Sequence, residues 1–139
     1  MKTKPIRVIS SCLVLVACLI SGCSKPDPSL RLTKSIGIIT VGDVYSEIIA
    51  KGKSIPVTYS ESFGNADDGQ QAVEITLAQK DPSGVEIICT VVIDELPPKE
   101  ENGLHIVVTT KVDRDKNMKV KATVSETGYV KEFGPYLVE

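Results

Sequence analysis

A strict alternation of apolar and polar residues in four stretches is the feature that most constrains the fold. In residues 118–124 every second residue is apolar, and residues 72–78, 85–93 and 104–112 follow the same pattern with few exceptions. Successive side chains of a strand point to opposite faces, so a period of two predicts half-buried antiparallel strands. The buried face expected of residues 85–93 comprises Val85, Ile87, Cys89, Val91 and Ile93.

Turn-forming residues separate these stretches at short intervals. Asp, Asn, Gly and Pro are concentrated in residues 65–69, 81–84, 96–103, 113–117 and 126–128. Strands rich in Val, Ile and Thr, with turns roughly every 8–12 residues, are typical of sandwiches and barrels. The sequence therefore predicts an all-β fold, an antiparallel β-sandwich of about eight strands.

The N-terminus has the pattern of a secretory signal. Lys2, Lys4 and Arg7 precede an apolar run over residues 8–20, which is shorter than the roughly 20 residues that span a bilayer. The stretch "ISGC" at residues 20–23 resembles the lipobox of bacterial lipoproteins. That resemblance implies cleavage before Cys23 and acylation of its thiol. An ordinary signal peptide with a chance cysteine, or an uncleaved anchor helix, are the alternatives.

The lipobox divides the chain into a signal peptide (1–22), a lipidated cysteine with its tether (23–32) and a sandwich domain (33–139). Buried acyl chains contribute about 0.8 kcal/mol per methylene, so two or more chains anchor a protein stably. We therefore expect a lipid-anchored protein of the bacterial cell envelope, on the periplasmic face. Ser24 after the cysteine resembles a signal for the outer membrane.

Composition excludes several classes of function. Loss of residues 1–22 leaves 13 basic against 18 acidic residues, with no basic stripe and few aromatic residues, so nucleic-acid binding is not expected. Cys12 and Cys18 leave with the signal and Cys23 is acylated, so Cys89 stands alone and a disulfide framework is excluded. Within its strand Cys89 is expected to be a buried thiol; a reactive nucleophile is the less favoured alternative.

No motif for catalysis or cofactor binding is evident. Residues 113–117 begin like a calcium loop, but Met118 and Val124 occupy places that require glycine and glutamate, so a hairpin turn is predicted. The single histidine, His105, falls on the polar side of its strand. No nucleophile motif and no glycine-rich phosphate loop occurs. We therefore predict a non-enzyme without metal or cofactor.

Several segments resemble the β-sandwich substrate-binding domain of the heat-shock protein 70 (DnaK-type) chaperones. That family has a pattern of Ser-Leu-Gly-Ile-Glu-Thr, a Gly-Gly turn, "LIxxNTTIP" and "FSTAxDNQ". The corresponding segments here are "SIGIIT" (35–40), "GD" (42–43), "IIAKGKSIP" (48–56), "FGNADDGQ" (63–70) and "AVEI" (72–75). Further on, "IDELPP" and "VDRDKNMKVKATVSETG" resemble "LDGIPPAP" and "IDANGILxVSAxDxxTG". The similarity extends over nearly the whole of the expected mature chain, residues 23–139.

The resemblance implies a role in peptide binding for nine positions. Those matching the central hydrophobic pocket are Ile38, Phe63, Val73, Ile75 and Ile106. Val41 and Ala66 match the two residues that arch over the bound peptide, and Thr40 and Gln70 match positions near its backbone. The alternative is that the five apolar residues simply fill the core of a sandwich.

The function implied is ATP-independent binding of extended hydrophobic peptides, or of unfolded envelope proteins, by a lipid-anchored domain. No segment matches the family's ATPase domain, its linker or its helical lid, so no ATP is expected to take part. The alternative is a structural or assembly domain that binds a folded envelope partner and has lost the groove. Self-association is a further possibility, with the apolar segment Tyr136-Leu137-Val138 occupying the groove of another molecule.

Overall fold

The computed structural model describes residues 30–40 and 42–139. The predicted signal peptide, the predicted lipidation site Cys23 and the predicted arch residue Val41 lie outside the described residues. The described part begins at Leu30, five residues before the first strand.

The described residues form eight β-strands arranged in two four-stranded antiparallel sheets, which confirms the predicted all-β sandwich. The strands are β1 (Ser35–Thr40), β2 (Val44–Ile49), β3 (Val57–Phe63), β4 (Val73–Asp81), β5 (Gly84–Ile93), β6 (Ile106–Val112), β7 (Asn117–Val124) and β8 (Tyr129–Leu137). One sheet has the order β2-β1-β4-β5 and the other β3-β6-β7-β8. Neighbours in the second sheet therefore include β3 and β6, which are distant in sequence.

The core lies between the inner faces of the two sheets and follows the alternation of the sequence. In β4, Val73 and Ile75 are buried while Glu74 between them is exposed. In β7, Met118 and Val120 are fully buried and Lys119 is exposed. Burying such a side chain contributes about 1.5–3 kcal/mol, so the period of two determines which face of each strand turns inward.

The prediction for β5 is wrong in its first half. Cys89, Val91 and Ile93 are buried, but Val85 is 48% exposed and Ile87 65% exposed. The register between β4 and β5 shifts at Leu77/Ala78, so the pairs Leu77–Cys89 and Ala78–Ile87 leave one extra residue on β5. A bulge of this kind reverses which residues face inward.

Because neighbouring strands are antiparallel, all connections fall at two ends of the sandwich. The loop end comprises residues 42–43, 64–72, 94–105 and 125–128. The entry end comprises residues 30–34, 50–56, 82–83, 113–116 and 138–139, and it includes the start of the described chain. The two ends are separated by the length of the strands, about 25 Å for eight residues.

The last residues of the chain are integrated into the entry end. Val138 is 2% exposed, and its N–H donates to the carbonyl of Lys116 at 2.9 Å. The carbonyl of Glu139 accepts from the N–H groups of Thr33 at 3.1 Å and Lys34 at 3.3 Å. Groove occupation in another molecule, as predicted for residues 136–138, would require this segment to leave its own fold.

Candidate functional site

The structure brings the described groove positions to the loop end of the sandwich. β1 reaches this end at Ile38 and Thr40, and β4 begins there with Val73 and Ile75. In the opposite sheet the last residue of β3 pairs with the first residue of β6 as Phe63–Ile106. Four strand termini from both sheets therefore converge beside the loop of residues 64–72.

The five pocket positions are buried in the structure. Their exposed fractions are 0–4%, and all five belong to the single hydrophobic cluster that forms the core. They are Ile38, Phe63, Val73, Ile75 and Ile106. The pocket positions are therefore continuous with the part of the sandwich core nearest the loop end.

Thr40 closes the connection between β1 and β2. Its hydroxyl donates to the carbonyl of Val44 across the turn at 3.1 Å. Gly42 and Asp43 in this turn both have left-handed backbone angles, with φ of 76° and 59°. Glycine adopts this region freely and aspartate more readily than most residues. Val44, which follows the turn, is 57% exposed and presents an apolar side chain at this end.

Gln70 holds the loop of residues 64–72 in shape. Its Oε1 accepts from the backbone N–H of Ala66 at 2.8 Å, and its Nε2 donates to the carbonyl of Ala72 at 2.8 Å. Both polar atoms of the Gln70 amide are therefore engaged by its own loop. Ala66, the described arch position, is half-buried.

Asn65 joins the two long loops of this end, and sequence reasoning missed it. The side chain is fully buried. Its Nδ2 donates to the carbonyls of Asp67 at 2.9 Å and Glu100 at 2.8 Å, with a longer contact to Lys99 at 3.3 Å. Its Oδ1 accepts from the N–H of Leu104 at 3.0 Å. A buried amide that satisfies this many partners fixes the relative position of the segments that carry them.

Further hydrogen bonds reinforce the contact between residues 64–72 and 94–105. Gly69 N–H donates to the carbonyl of Lys99 at 2.8 Å, and the N–H of Glu101 donates to Asp68 Oδ1 at 2.7 Å. Leu96 N–H donates to the carbonyl of Gln71 at 3.0 Å. The arch position thus lies on a loop that is held along its whole length.

The comparison with protein families agrees with this geometry. The family model described as "Hsp70 protein" matches residues 19–134, most of the chain. The chain belongs to the Hsp70 family.

Comparison with curated Hsp70 relatives shows what share of their length this chain covers. Chaperone protein dnaK of Phaeodactylum tricornutum is 33% identical over 128 residues, which cover 89% of this chain and 21% of that protein. Chaperone protein HscA of Xenorhabdus nematophila is 30% identical over 131 residues, with the same two coverages. HscA of Photorhabdus laumondii is 31% identical over 112 residues, 76% of this chain. The chain spans about a fifth of the length of these relatives.

The Hsp70 pattern also shows where a sequence signal for Asn65 existed. Gly64 and Asn65 occupy the places of a Ser-Thr pair in the pattern "FSTAxDNQ". A Cβ added at Gly64 would lie 2.9 Å from Asn102 Oδ1 and 3.1 Å from Asn102 Cα, so only glycine lets the two loops approach this closely. In this chain the glycine permits the close approach, and the asparagine side chain bonds across it.

His105 and Glu126 form a second polar contact of this Hsp70 loop end. His105 Nδ1 lies 2.7 Å from Glu126 Oε1, and the His105 N–H donates to the same carboxylate at 3.1 Å. Partial burial opposes ionisation of Glu126, but the hydrogen bonds from His105 outweigh it and the pKa of Glu126 is lowered. The His105 side chain is 70% exposed, as expected from its place on the polar side of the strand.

Cys89 lies away from the loop-end contacts and is a buried free thiol. Burial raises its pKa to about 11, with a smaller opposing effect from Tyr136, so the thiol stays protonated at neutral pH.

The Asp113 carboxylate accepts the N–H groups of Asp115 at 2.8 Å and Asn117 at 3.0 Å, which gives the predicted hairpin turn.

The described residues contain neither a potential metal cluster nor a helix that could span a membrane. In residues 30–40 and 42–139, no group of three His, Cys, Asp or Glu side chains could hold a metal ion. No helix in the same ranges has the length and apolar character to cross a membrane. An open cleft of about 560 Å³ lies where the first sheet meets the entry end, and the predicted site residues do not line it. Its lining residues are Ser35, Tyr45, Glu47, Lys51, Lys80, Asp81 and Pro82.

Proposed function

We propose that this chain is a lipid-anchored, ATP-independent domain that binds extended hydrophobic peptide segments of other envelope proteins. The observation that carries the proposal is the convergence of the described groove positions at one end of the sandwich, between connections held by Thr40, Gln70 and Asn65. Membership of a family whose curated members are named as chaperones supports it.

Binding would combine backbone and side-chain contacts. An extended peptide offers its own N–H and C=O groups, which gives affinity with little sequence preference, and one apolar side chain supplies selectivity. Burying a leucine-like side chain contributes about 1.5–3 kcal/mol. The pocket positions are 0–4% exposed, so they must separate to admit a side chain, and that separation reduces the affinity. We expect a dissociation constant in the micromolar range or weaker, which corresponds to a binding free energy no more favourable than about −8 kcal/mol.

The proposal is tested by titrating a fluorescent leucine-rich heptapeptide into the full chain and following anisotropy. Wild type should bind it with saturation, and a heptapeptide with serine in place of leucine should bind at least about tenfold more weakly, about 1.4 kcal/mol. Ala66→Asp at the half-buried arch position should abolish binding. Ala50→Asp introduces the same charge at an exposed position of the entry end and should leave binding unchanged.

A second candidate function is favoured by the burial of the five pocket positions. Their continuity with the core fits a domain that has lost the groove and binds a folded envelope partner instead. Absence of saturable binding by wild type, or equal binding by Ala66→Asp and Ala50→Asp, would reject the peptide-binding function and favour this one.

The proposed anchor has its own test. In bacteria grown with radiolabelled palmitate, the wild-type chain should carry label and partition with the membrane fraction. Cys23→Ala should carry none. Label on Cys23→Ala, or its absence from wild type, would reject the lipoprotein assignment and leave the peptide titration unaffected.

A further inference from the structure

Charge is divided unequally between the two ends of the sandwich. The loop end carries eight carboxylates and one lysine, namely Asp43, Asp67, Asp68, Asp94, Glu95, Glu100, Glu101 and Glu126 against Lys99. The entry end carries six basic and three acidic residues, namely Arg31, Lys34, Lys51, Lys53, Arg114 and Lys116 against Asp113, Asp115 and Glu139. The domain therefore has an acidic end and a basic end, although its overall charge is negative.

Three of the basic residues form a compact group, which we call the basic cluster: Arg31, Lys51 and Lys53. Arg31 Nη1 donates to the carbonyl of Gly52 at 3.2 Å, so the guanidinium lies on the turn that carries both lysines. Lys53 N–H donates to Ala50 C=O at 3.2 Å, and Gly52 supplies the left-handed φ of 81° that this turn needs. All three side chains belong to exposed residues.

The acidic residues of the entry end do not neutralise the basic cluster. Glu139 pairs with Lys34 at 2.8 Å, and the Asp113 carboxylate is engaged by the backbone of its own turn. Lys34 also lies 3.8 Å from Asp81 and 3.4 Å from Glu86. In residues 30–40 and 42–139, no salt bridge involves a member of the basic cluster. The cluster is therefore exposed and not neutralised by a direct ion pair, although Glu47 and Asp81 line the same cleft as Lys51.

The start of the described chain lies beside this cluster. Ile55 N–H donates to the carbonyl of Leu30 at 2.9 Å, and Arg31 and Ser54 form a β-bridge. Residues 1–29, with the apolar run 8–20 and Cys23, therefore join the sandwich at its basic end. Seven residues from 23 to 29 span at most about 25 Å, which keeps this end near any membrane that holds Cys23.

We propose that the entry end docks on an anionic lipid surface, with the basic cluster against headgroup phosphates and the acidic loop end directed away. The location near a membrane rests on the proposed anchor, whereas the attraction itself depends only on the charges described. Each Lys or Arg near an anionic membrane strengthens binding about fivefold. The attraction decays over about 8 Å at physiological salt, so the loop end, a strand length away, contributes little repulsion.

The test is sedimentation of the full chain carrying Cys23→Ser with vesicles, compared between phosphatidylcholine alone and phosphatidylcholine mixed with phosphatidylglycerol. The apolar N-terminus contributes to both affinities, and Lys2, Lys4 and Arg7 contribute equally in every variant. The change in the ratio between variants therefore reports the attraction of the basic cluster. The ratio should exceed one and fall as salt is raised. Lys51→Gln/Lys53→Gln should reduce it about 25-fold, because two fivefold contributions are lost.

Lys99→Gln/Lys131→Gln is the matched control, since it changes the net charge equally at exposed positions nearer the loop end. It should change the ratio by less than about twofold. A wild-type ratio of one, an unchanged ratio in Lys51→Gln/Lys53→Gln, or equal losses in the two double variants would each overturn the proposal. The heptapeptide titration should be the same for wild type and Lys51→Gln/Lys53→Gln, whose changes lie at the entry end, so failure here is separable from failure of the peptide-binding function.

Discussion

The loop end and the entry end of this sandwich are built by different means. At the loop end, two connections of nine and twelve residues are joined by side-chain and backbone hydrogen bonds, with the buried Asn65 side chain at their centre. At the entry end, connections of two to seven residues turn tightly, and backbone groups of residues 33, 34, 116, 138 and 139 bond to one another.

The difference shows what each end can accommodate. Long loops on a rigid scaffold are where proteins carry recognition, and here their positions depend on a few side chains that substitution can release. Short turns depend on local backbone geometry, which leaves their exposed side chains available for an electrostatic role. Substitutions placed in pairs, one at each end, distinguish loops held by side-chain contacts from turns held by local backbone geometry.

The largest expected contrast is between Ile75→Asp and Ile87→Asp. Ile75 is 1% exposed in the core near the loop end, and burying an unpaired carboxylate there should cost more than about 4 kcal/mol and abolish cooperative folding. Ile87 is 65% exposed beyond the bulge of β5, and the same change should cost about 0.5 kcal/mol or less. Chemical unfolding followed by circular dichroism measures the free energy of unfolding of both variants. Similar losses of stability would contradict the burial of Ile75 and the exposure of Ile87.

The next contrast concerns the side chains that hold connections at each end. Asn65→Ala should cost about 2–3 kcal/mol, because it leaves the buried Leu104 N–H without its acceptor. It should also speed amide hydrogen exchange at Gly69 and Leu104. Asp113→Ala at the entry end removes a half-buried turn cap and should cost less, because its partners are backbone groups of a surface turn that water can reach; faster exchange should be confined to residues 115 and 117. Unchanged exchange at Gly69 in Asn65→Ala would show that the loops are held by other contacts.

Asparagine substitutions at two glycines, one at each end, should differ in how much stability they cost. Gly64→Asn at the loop end meets the backbone and side chain of Asn102 and should cost about 1–3 kcal/mol. Gly52→Asn at the entry end has open space and a left-handed φ that asparagine tolerates, so the cost should be about 0.5 kcal/mol or less. Thermal unfolding of both variants at one pH measures the difference, and equal costs would show that close approach at Gly64 is unimportant.

The smallest effect expected is a dependence on pH at the loop end. The pKa of Glu126 is lowered in the folded chain, so its contribution to stability is present above the unfolded pKa and is lost as pH falls through the folded value, below 4.5. The carboxylate is partly solvated, so the loss should be less than about 1 kcal/mol. In Glu126→Gln the free energy of unfolding should fall less between pH 7 and pH 3 than in wild type. An identical fall would exclude Glu126 as a contributor.

Much of the fold could be predicted because the relevant information is local. Alternation in β4, β6 and β7 placed their inner faces correctly, and turn residues located the connections. The bulge opposite Leu77/Ala78 could not be predicted, because a one-residue slip depends on which strand lies alongside and leaves the alternation of β5 itself unchanged. It is the reason Val85 and Ile87 were assigned to the wrong face.

The candidate site could be predicted in outline but not in its contacts. The resemblance identified positions in β1, β3, β4 and β6 that the structure brings to one end. It assigned Gln70 a place near a bound peptide, whereas the structure gives its amide two partners within the loop. The departure from the family pattern at Asn65 could not be interpreted as a contact, because its partners Glu100 and Leu104 lie 35 and 39 residues away in the sequence.

By itself the sequence determined strands, turns and the inward faces of most strands, because side-chain alternation and turn preferences act over a few residues. Tertiary structure alone decided which loops meet, where β5 slips, and that basic residues collect at one end and acidic residues at the other. Those features depend on strands far apart in the chain lying side by side, and only the packed sandwich brings the groups within hydrogen-bonding or electrostatic range.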